Sequence, residues 1–223
     1  MDRKVAIVGG GSDYHRMFAG RGWEVVDSTE EADLIQFTGG ADVSPHLFGE
    51  EMHPHSHCNE GRDVAEQELF NRYVGKKPMA GICRGGQFIY VMNGGKMYQH
   101  VDGHAIGTEH PLFKVLPNGG GMLFVCNVTS THHQMMRYEE RMAPYIIGVA
   151  DGLSTFRQRV ETNKLGSEIV DDGPGVEVEV AYFPETNTLS FQPHPEFHDG
   201  EMQDYYFELI EENLFSESDN PKA

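Results

Sequence analysis

Cys83 sits in Gly81-Ile82-Cys83-Arg84-Gly85-Gly86-Gln87, with glycines on both sides. Glycine tolerates strained backbone angles and lets a substrate approach closely, so this composition suits a tight strand-to-helix turn that carries a nucleophile. Such a turn leaves the sulfur at a helix N-terminus, where the positive end of the dipole favours the reactive thiolate. The plainer reading is a buried structural cysteine, because free Cys is among the most buried residue types. A second group decides between them. Near the C-terminus stands Gln192-Pro193-His194-Pro195-Glu196-Phe197, directly after an expected strand. A thiolate attacking an amide needs a base to manage protons and a third group to orient that base. His194 and Glu196 are two apart, so on an extended segment their side chains leave the same face. Cys83, His194 and Glu196 are therefore expected to form a catalytic triad.

Other residues invite chemistry with less support. His53, His55 and His57 alternate in one loop ahead of Cys58. On an extended segment their imidazoles would share a face that suits Zn²⁺ or Cu²⁺. The plainer reading, a polar surface loop, is adopted, and no metal is expected. Gly9-Gly10-Gly11-Ser12 suggests a phosphate cradle but lacks the full glycine spacing of a dinucleotide fingerprint. The Arg84 side chain has three readings: lowering the thiol pKa, clamping a substrate carboxylate, or standing solvated at the helix start.

These residues need a scaffold, and the pattern around them is α/β. Val5 to Val8, Trp23 to Val26, Ala32 to Phe37 and Pro78 to Ile82 read as short buried strands, several of them ended by glycine. Helices are expected from Ser12 to about Ala19, from Arg62 to Val74, from Gln87 to Met92 and from Gln203 to Phe215. Val176 to Phe183 and Thr188 to Gln192 read as a hairpin. Ser44 to Glu60 reads as a loop. Strands alternating with helices at this spacing predict a doubly wound sheet.

Composition narrows the function classes. The 223 residues carry a formal net charge of −18, which disfavours binding to phosphate backbones and anionic membranes. No run approaches the length of a membrane span, and the N-terminus shows no signal-peptide pattern. Three cysteines, an odd and sparse set, fit a reducing compartment better than a disulfide framework. A cytoplasmic protein is expected, with no nucleic-acid or membrane partner.

The elbow heptapeptide, with the late His194-Pro195-Glu196, resembles the class I glutamine amidotransferases. Within that class it resembles most the branch of γ-glutamyl hydrolases and γ-glutamyl-γ-aminobutyrate hydrolases. Phe37-Thr38-Gly39-Gly40-Ala41-Asp42-Val43-Ser44-Pro45, Arg62-Asp63 with Glu66, Gly94-Gly95-Lys96-Met97-Tyr98-Gln99 and Ser130-Thr131-His132-His133-Gln134 extend the likeness over most of the chain. The resemblance implies an oxyanion hole from the backbone N–H groups of Gly40 and Arg84. It also implies that Gln87, Ser130 and His132 bind the glutamine moiety, that His194 is the base, and that no cofactor is needed. The implied reaction is attack on a γ-carboxamide, loss of ammonia or an amine, and hydrolysis of a γ-glutamyl thioester. Pro193 stands where the family often has a tryptophan or another bulky residue, and Thr155 to Gly175 matches none of its motifs.

The expected architecture is a single α/β domain over residues 1–215, followed by a frayed acidic tail at 216–223. It should be a doubly wound, mostly parallel central sheet with flanking helices and a small antiparallel β element, in the flavodoxin-like manner of that class. The expected substrate is a small γ-glutamyl amide: glutamine, a γ-glutamyl amine or a γ-glutamyl peptide. The alternatives are a glutaminase subunit that passes ammonia to a separate synthetase partner, and a non-catalytic binding protein on the same fold.

Overall fold

The computed structural model describes residues 3–216 other than 106, 118, 119, 164, 173 and 174. All of the expected tail except Ser216 lies outside the described residues. In chain order the elements begin β1 (Lys4–Val8), α1 (Ser12–Gly20), β2 (Glu24–Val26), β3 (Leu34–Phe37), α2 (Glu60–Tyr73), β4 (Met79–Ile82) and α3 (Arg84–Met92). Then come β5 (Lys96–Tyr98), β6 (His100–Val101), β7 (Thr108–Val115), β8 (Met122–Ser130), β9 (Met135–Arg137) and β10 (Ile146–Ala150). β11 (Arg157–Asn163), β12 (Gly166–Asp172), β13 (Glu177–Phe183), β14 (Thr188–Phe191) and α4 (Glu201–Leu209) complete the chain, with a π-helical turn at Ile210–Leu214.

The main sheet runs β2-β1-β3-β4-β14-β13-β10-β7-β8. From β2 through β14 every pairing is parallel. All four residues of β3, β4 and β14 are buried, as central strands covered on both faces must be. α1 and α4 close one face, where Tyr14, Phe18, Tyr206 and Leu209 pack with Val5 and Phe191. α2 and α3 close the other, where Phe70, Tyr73, Phe88 and Ile89 pack with Ile35, Phe37 and Met79. Helices on both faces of a parallel sheet make the doubly wound arrangement, and Gly40, Cys83 and His194 follow the C-terminal ends of β3, β4 and β14.

The antiparallel part is larger than the hairpin the sequence suggests. β13 and β14 do form that hairpin, but β10, β7 and β8 continue the sheet antiparallel beyond it, and β9 and β5 branch from β13. The unplaced stretch from Thr155 to Gly175 contains β11 and β12, which pair with β6 in a separate three-stranded sheet. The expected C-terminal helix is α until Leu209 and then widens into the π-helical turn. Among the described residues no helix is long and apolar enough to cross a membrane.

Candidate active site

Cys83 is the turn between β4 and α3, at φ 52° and ψ −115°, a backbone region that side-chain-bearing residues rarely occupy. Packing holds it there. A Cβ on Gly81 would lie 2.2 Å from the Gly85 carbonyl, and one on Gly85 would lie 2.4 Å from the Phe37 carbonyl oxygen. The elbow and the end of β3 therefore touch backbone to backbone, which only glycine permits. The Cys83 N–H donates to the Phe191 carbonyl at 2.8 Å, and the Cys83 carbonyl accepts from the Gln87 N–H at 2.9 Å. The sulfur stands at the N-terminus of α3, three residues earlier than the sequence places that helix.

His194 and Glu196 follow β14 and meet the elbow. The His194 Nδ1 is 2.6 Å from Glu196 Oε1, the His194 N–H donates to Thr129 Oγ1 at 2.7 Å, and the Phe197 ring stacks on the imidazole at 4.5 Å. The pair does not rely on strand alternation as the sequence suggests. The segment is a turn in which the Phe197 N–H donates to the His194 carbonyl, and this curl brings carboxylate and ring together. A Cβ built on Gly39 would lie 3.1 Å from His194 Cε1 and 3.6 Å from Cys83 Cβ, so His194 and Cys83 converge beside the loop after β3. Burial works against the imidazolium, but hydrogen bonds to Cys83 and Glu196 outweigh it and push the His194 pKa up to about 10.

That loop is clamped by a residue whose role the sequence did not reveal. Arg62 donates from Nη1 to the Gly39 carbonyl and from Nη2 to the Thr38 carbonyl, each at 2.8 Å, while its Nε pairs with Glu66 at 2.6 Å. In a trans peptide the C=O and N–H point in opposite directions. The Gly39 carbonyl and the Gly40 N–H share one peptide, so holding the carbonyl on Arg62 turns the Gly40 N–H away from it. The preceding N–H, that of Gly39, is committed to the Tyr14 hydroxyl at 2.9 Å. The Arg84 N–H, in the first turn of α3, has no acceptor within the helix. The triple-glycine run finds its use here as well: a Cβ on Gly9 would strike the Arg62 guanidinium at 2.5 Å. Tyr14 is a second residue that no motif singles out. Burial and the nearby Glu196 carboxylate raise its pKa, so the hydroxyl stays neutral beside Glu196.

The side chain of Arg84 is neither solvated nor available to a substrate. It is buried and ion-paired with both Asp63 and Glu66 of α2, and Asp63 in turn accepts from Ser44. Gln87 donates to the Gln134 carbonyl at 3.1 Å and to Gln192 at 3.0 Å, Ser130 donates to the His104 carbonyl at 2.6 Å, and His132 Nδ1 is 2.8 Å from the Gln134 carbonyl. These hydrogen bonds engage polar atoms of all three residues inside the protein. Of the loop histidines, His53 and His55 bring their rings together at 4.9 Å and both lie against His100, His53 being buried, while the backbone N–H of His57 donates to Asp42. A cavity lined by Ala32, Lys77, Pro184 and Phe215 opens at the opposite ends of β3 and β4, and no cysteine or histidine lines it.

Comparison with known proteins places the chain in a family. The Peptidase C26 family model matches residues 23–143. The chain is 40% identical over 140 residues to a glutamine amidotransferase-like protein, the YvdE homolog of Lactococcus lactis subsp. cremoris, covering 50% of this chain and 71% of that one. It is 38% identical over 82 residues to a protein of Mycobacterium tuberculosis assigned as a glutamine amidotransferase, covering 33% of this chain and 27% of that one. Among solved structures, a Thermoplasma acidophilum protein assigned to GMP synthase superposes with a TM-score of 0.57 at 16% identity, over 94% of this chain and 93% of the other. A glutamine amidotransferase of Thermotoga maritima gives 0.52 at 16% identity, over 96% and 86%. At these identities the structural likeness speaks for the fold.

Proposed function

This chain belongs to the Peptidase C26 family, of class I glutamine amidotransferase type, and we propose that its Cys83–His194–Glu196 site hydrolyses γ-glutamyl amides through a γ-glutamyl thioester. The observation that carries this reading is the meeting of a strained, glycine-locked cysteine with a histidine whose other nitrogen is held by a carboxylate at 2.6 Å. The Cys83 sulfur adds to the γ-carbonyl carbon, and the C=O electrons move onto oxygen. The Gly40 and Arg84 N–H groups receive that oxyanion, a preorganised pair that costs no reorganisation during reaction. Collapse expels ammonia or an amine, which takes its proton from the His194 imidazolium. Neutral His194 then accepts a proton from water, hydroxide attacks the thioester, and glutamate leaves as the thiol is restored. Gln87, Ser130 and His132 border the pocket that takes the glutamyl part.

A free thiol of this kind works in a reducing compartment, which suits a cytoplasmic protein whose three cysteines are all unpaired. A panel of glutamine, γ-glutamyl amines and γ-glutamyl peptides tests the reading, with release of ammonia or amine as the measurement. Hydrolysis without any partner is the expected result. Turnover of glutamine alone, and only when a synthetase is added, would favour a glutaminase subunit. Failure of every γ-glutamyl amide, alone and with synthetases, would leave a non-catalytic binding protein on this fold.

A further inference from the structure

Next to the catalytic groups, and outside the triad, lies a second set of buried side chains. His104, His110, His132 and Glu179 are all buried, and one ligand-type atom from each falls within 4.8 Å of the other three. Glu179 comes from β13, His110 from β7, His132 from just past β8 and His104 from the segment before β7. Glu179 Oε1 lies 3.7 Å from His132 Nε2, 3.8 Å from His110 Nε2 and 3.9 Å from His104 Nδ1. Among the described residues, neither carboxylate oxygen of Glu179 has a hydrogen-bond partner, nor does Nε2 of His110 or of His132. Buried polar atoms are normally satisfied, and four orphans facing one another call for an explanation.

The tautomers sharpen the point. His132 Nδ1 faces the Gln134 carbonyl at 2.8 Å and His110 Nδ1 faces the Pro111 carbonyl at 3.2 Å. A carbonyl only accepts, so in each ring Nδ1 carries the hydrogen and Nε2 turns a lone pair toward Glu179. His104 completes the set in the reverse sense. Its Nε2 lies 3.4 Å from Glu177 Oε2, a carboxylate fixed by the N–H groups of Leu153 and Ser154 and by Arg157, and its Nδ1 lies 3.9 Å from Glu179 Oε1 and 3.4 Å from the Ser130 hydroxyl. Lone pairs converging on a buried carboxylate repel one another unless a cation lies between them. A single proton on Glu179 would satisfy one of the two orphaned Nε2 atoms, of His110 or of His132, and leave the other without a partner.

We propose that His104, His110, His132 and Glu179 form a tetrahedral site for a divalent transition metal, with zinc as the ion. Three imidazoles and one carboxylate are borderline donors suited to zinc, whereas calcium and magnesium demand oxygen cages. Bonds of roughly 2.0–2.1 Å place tetrahedral neighbours about 3.4 Å apart, so the three contacts of Glu179, at 3.7–3.9 Å, close by a few tenths of an ångström, and the widest spacings in the set, up to 4.8 Å, close by more. The Gln134 and Pro111 carbonyls and Glu177 are then the outer partners that orient metal-bound histidines. With four protein ligands and no open position, the ion is structural. It ties β13 to the ends of β7 and β8, where Thr129 receives the His194 N–H and the Glu179 carbonyl receives the Gln192 N–H at 2.8 Å. The site departs from the metal-free expectation of the sequence and makes His132 a ligand. No step of the proposed reaction passes through it, so either proposal can fail alone.

The test is the metal content of the untagged chain purified without chelator. About one zinc per chain is expected. The metal-stripped chain should take up one Co²⁺ with the intense visible absorption of tetrahedral coordination, and its Tm should rise when zinc is restored. Glu179→Gln and His110→Asn should each lose the bound metal, while His55→Ala on the exposed loop should keep it. Because the cobalt spectrum is read on the unaltered chain, it decides the matter even where a variant fails to fold. A chain that is purified metal-free and binds neither zinc nor cobalt, or a Glu179→Gln/His110→Asn double variant that retains one zinc, would overturn the proposal.

Discussion

At the scale of single residues, the three cysteines differ in what surrounds them. Burial pushes the Cys126 thiol up to about 11, and burial likewise raises Cys58. Cys83 alone stands at a helix N-terminus beside an imidazole. A glutamine-mimicking electrophile should therefore label Cys83 and spare the other two, as mass mapping would show, and Cys83→Ala should lose turnover with its fold unchanged by circular dichroism. His194 and Glu196 should differ in degree. His194→Ala removes proton transfer itself, worth roughly 10²–10⁴-fold in rate. Glu196→Gln keeps a group of the same size but removes a negative partner of the imidazolium, so its loss should be smaller. The protonated ring is then less favoured, and its pKa falls from about 10. The alkaline limb of the kcat/KM profile should accordingly move to lower pH in Glu196→Gln. An unmoved limb would assign that limb to another group.

At the scale of elements, α2 contributes no atom to the proposed triad but holds the loop beside it. Arg62 reaches across to two successive carbonyls of the loop after β3, and the flat fork of a guanidinium suits that geometry where an ammonium cannot match it. Arg62→Lys should free the Gly39–Gly40 peptide to rotate. Deleting an oxyanion donor costs about 10²–10³-fold in kcat, and misaiming one should cost less, about 10–10² with KM nearly unchanged. A change confined to KM would mean that Arg62 serves substrate binding instead. The sequence showed the parallel strands because most are short apolar runs, with glycine closing β1 and β3 at the end where the site forms, and it showed the elbow because glycines flank Cys83. It showed Arg62 only as a matching letter, because a clamp on carbonyls leaves no trace in the residues clamped. The antiparallel half was hidden for a different reason. β8 begins with exposed Met122, Leu123 and Phe124, so its hydrophobic pattern does not alternate, and β7 carries Pro111 within the strand. The four residues of the proposed zinc site come from separate elements at spacings that form no motif, and only the sheet brings them together.

At the scale of the whole molecule, the net charge of −18 surrounds the site with a field that distinguishes substrates before they bind. Summed surface charge raises the local concentration of ligands of opposite sign and lowers that of like sign, with effects on association of about 10-fold or more. The γ-glutamyl part is common to every candidate substrate, so the leaving amine sets the difference between them. A γ-glutamyl amide whose leaving amine carries an additional positive charge should therefore be captured faster than one of the same length ending in a carboxylate. At about 10 mM ionic strength the screening length is roughly 30 Å, comparable to the whole domain, and near 1 M it shrinks to roughly 3 Å. The ratio of kcat/KM for the cationic over the anionic substrate should thus exceed about 10 at low salt and fall steadily as salt is added, while kcat for each stays nearly constant. A preference that persists unchanged at high salt would place discrimination in direct contacts within the pocket. Equal capture of the two substrates at low salt would mean that the acidic surface lies too far from the elbow around Cys83 to steer what reaches it.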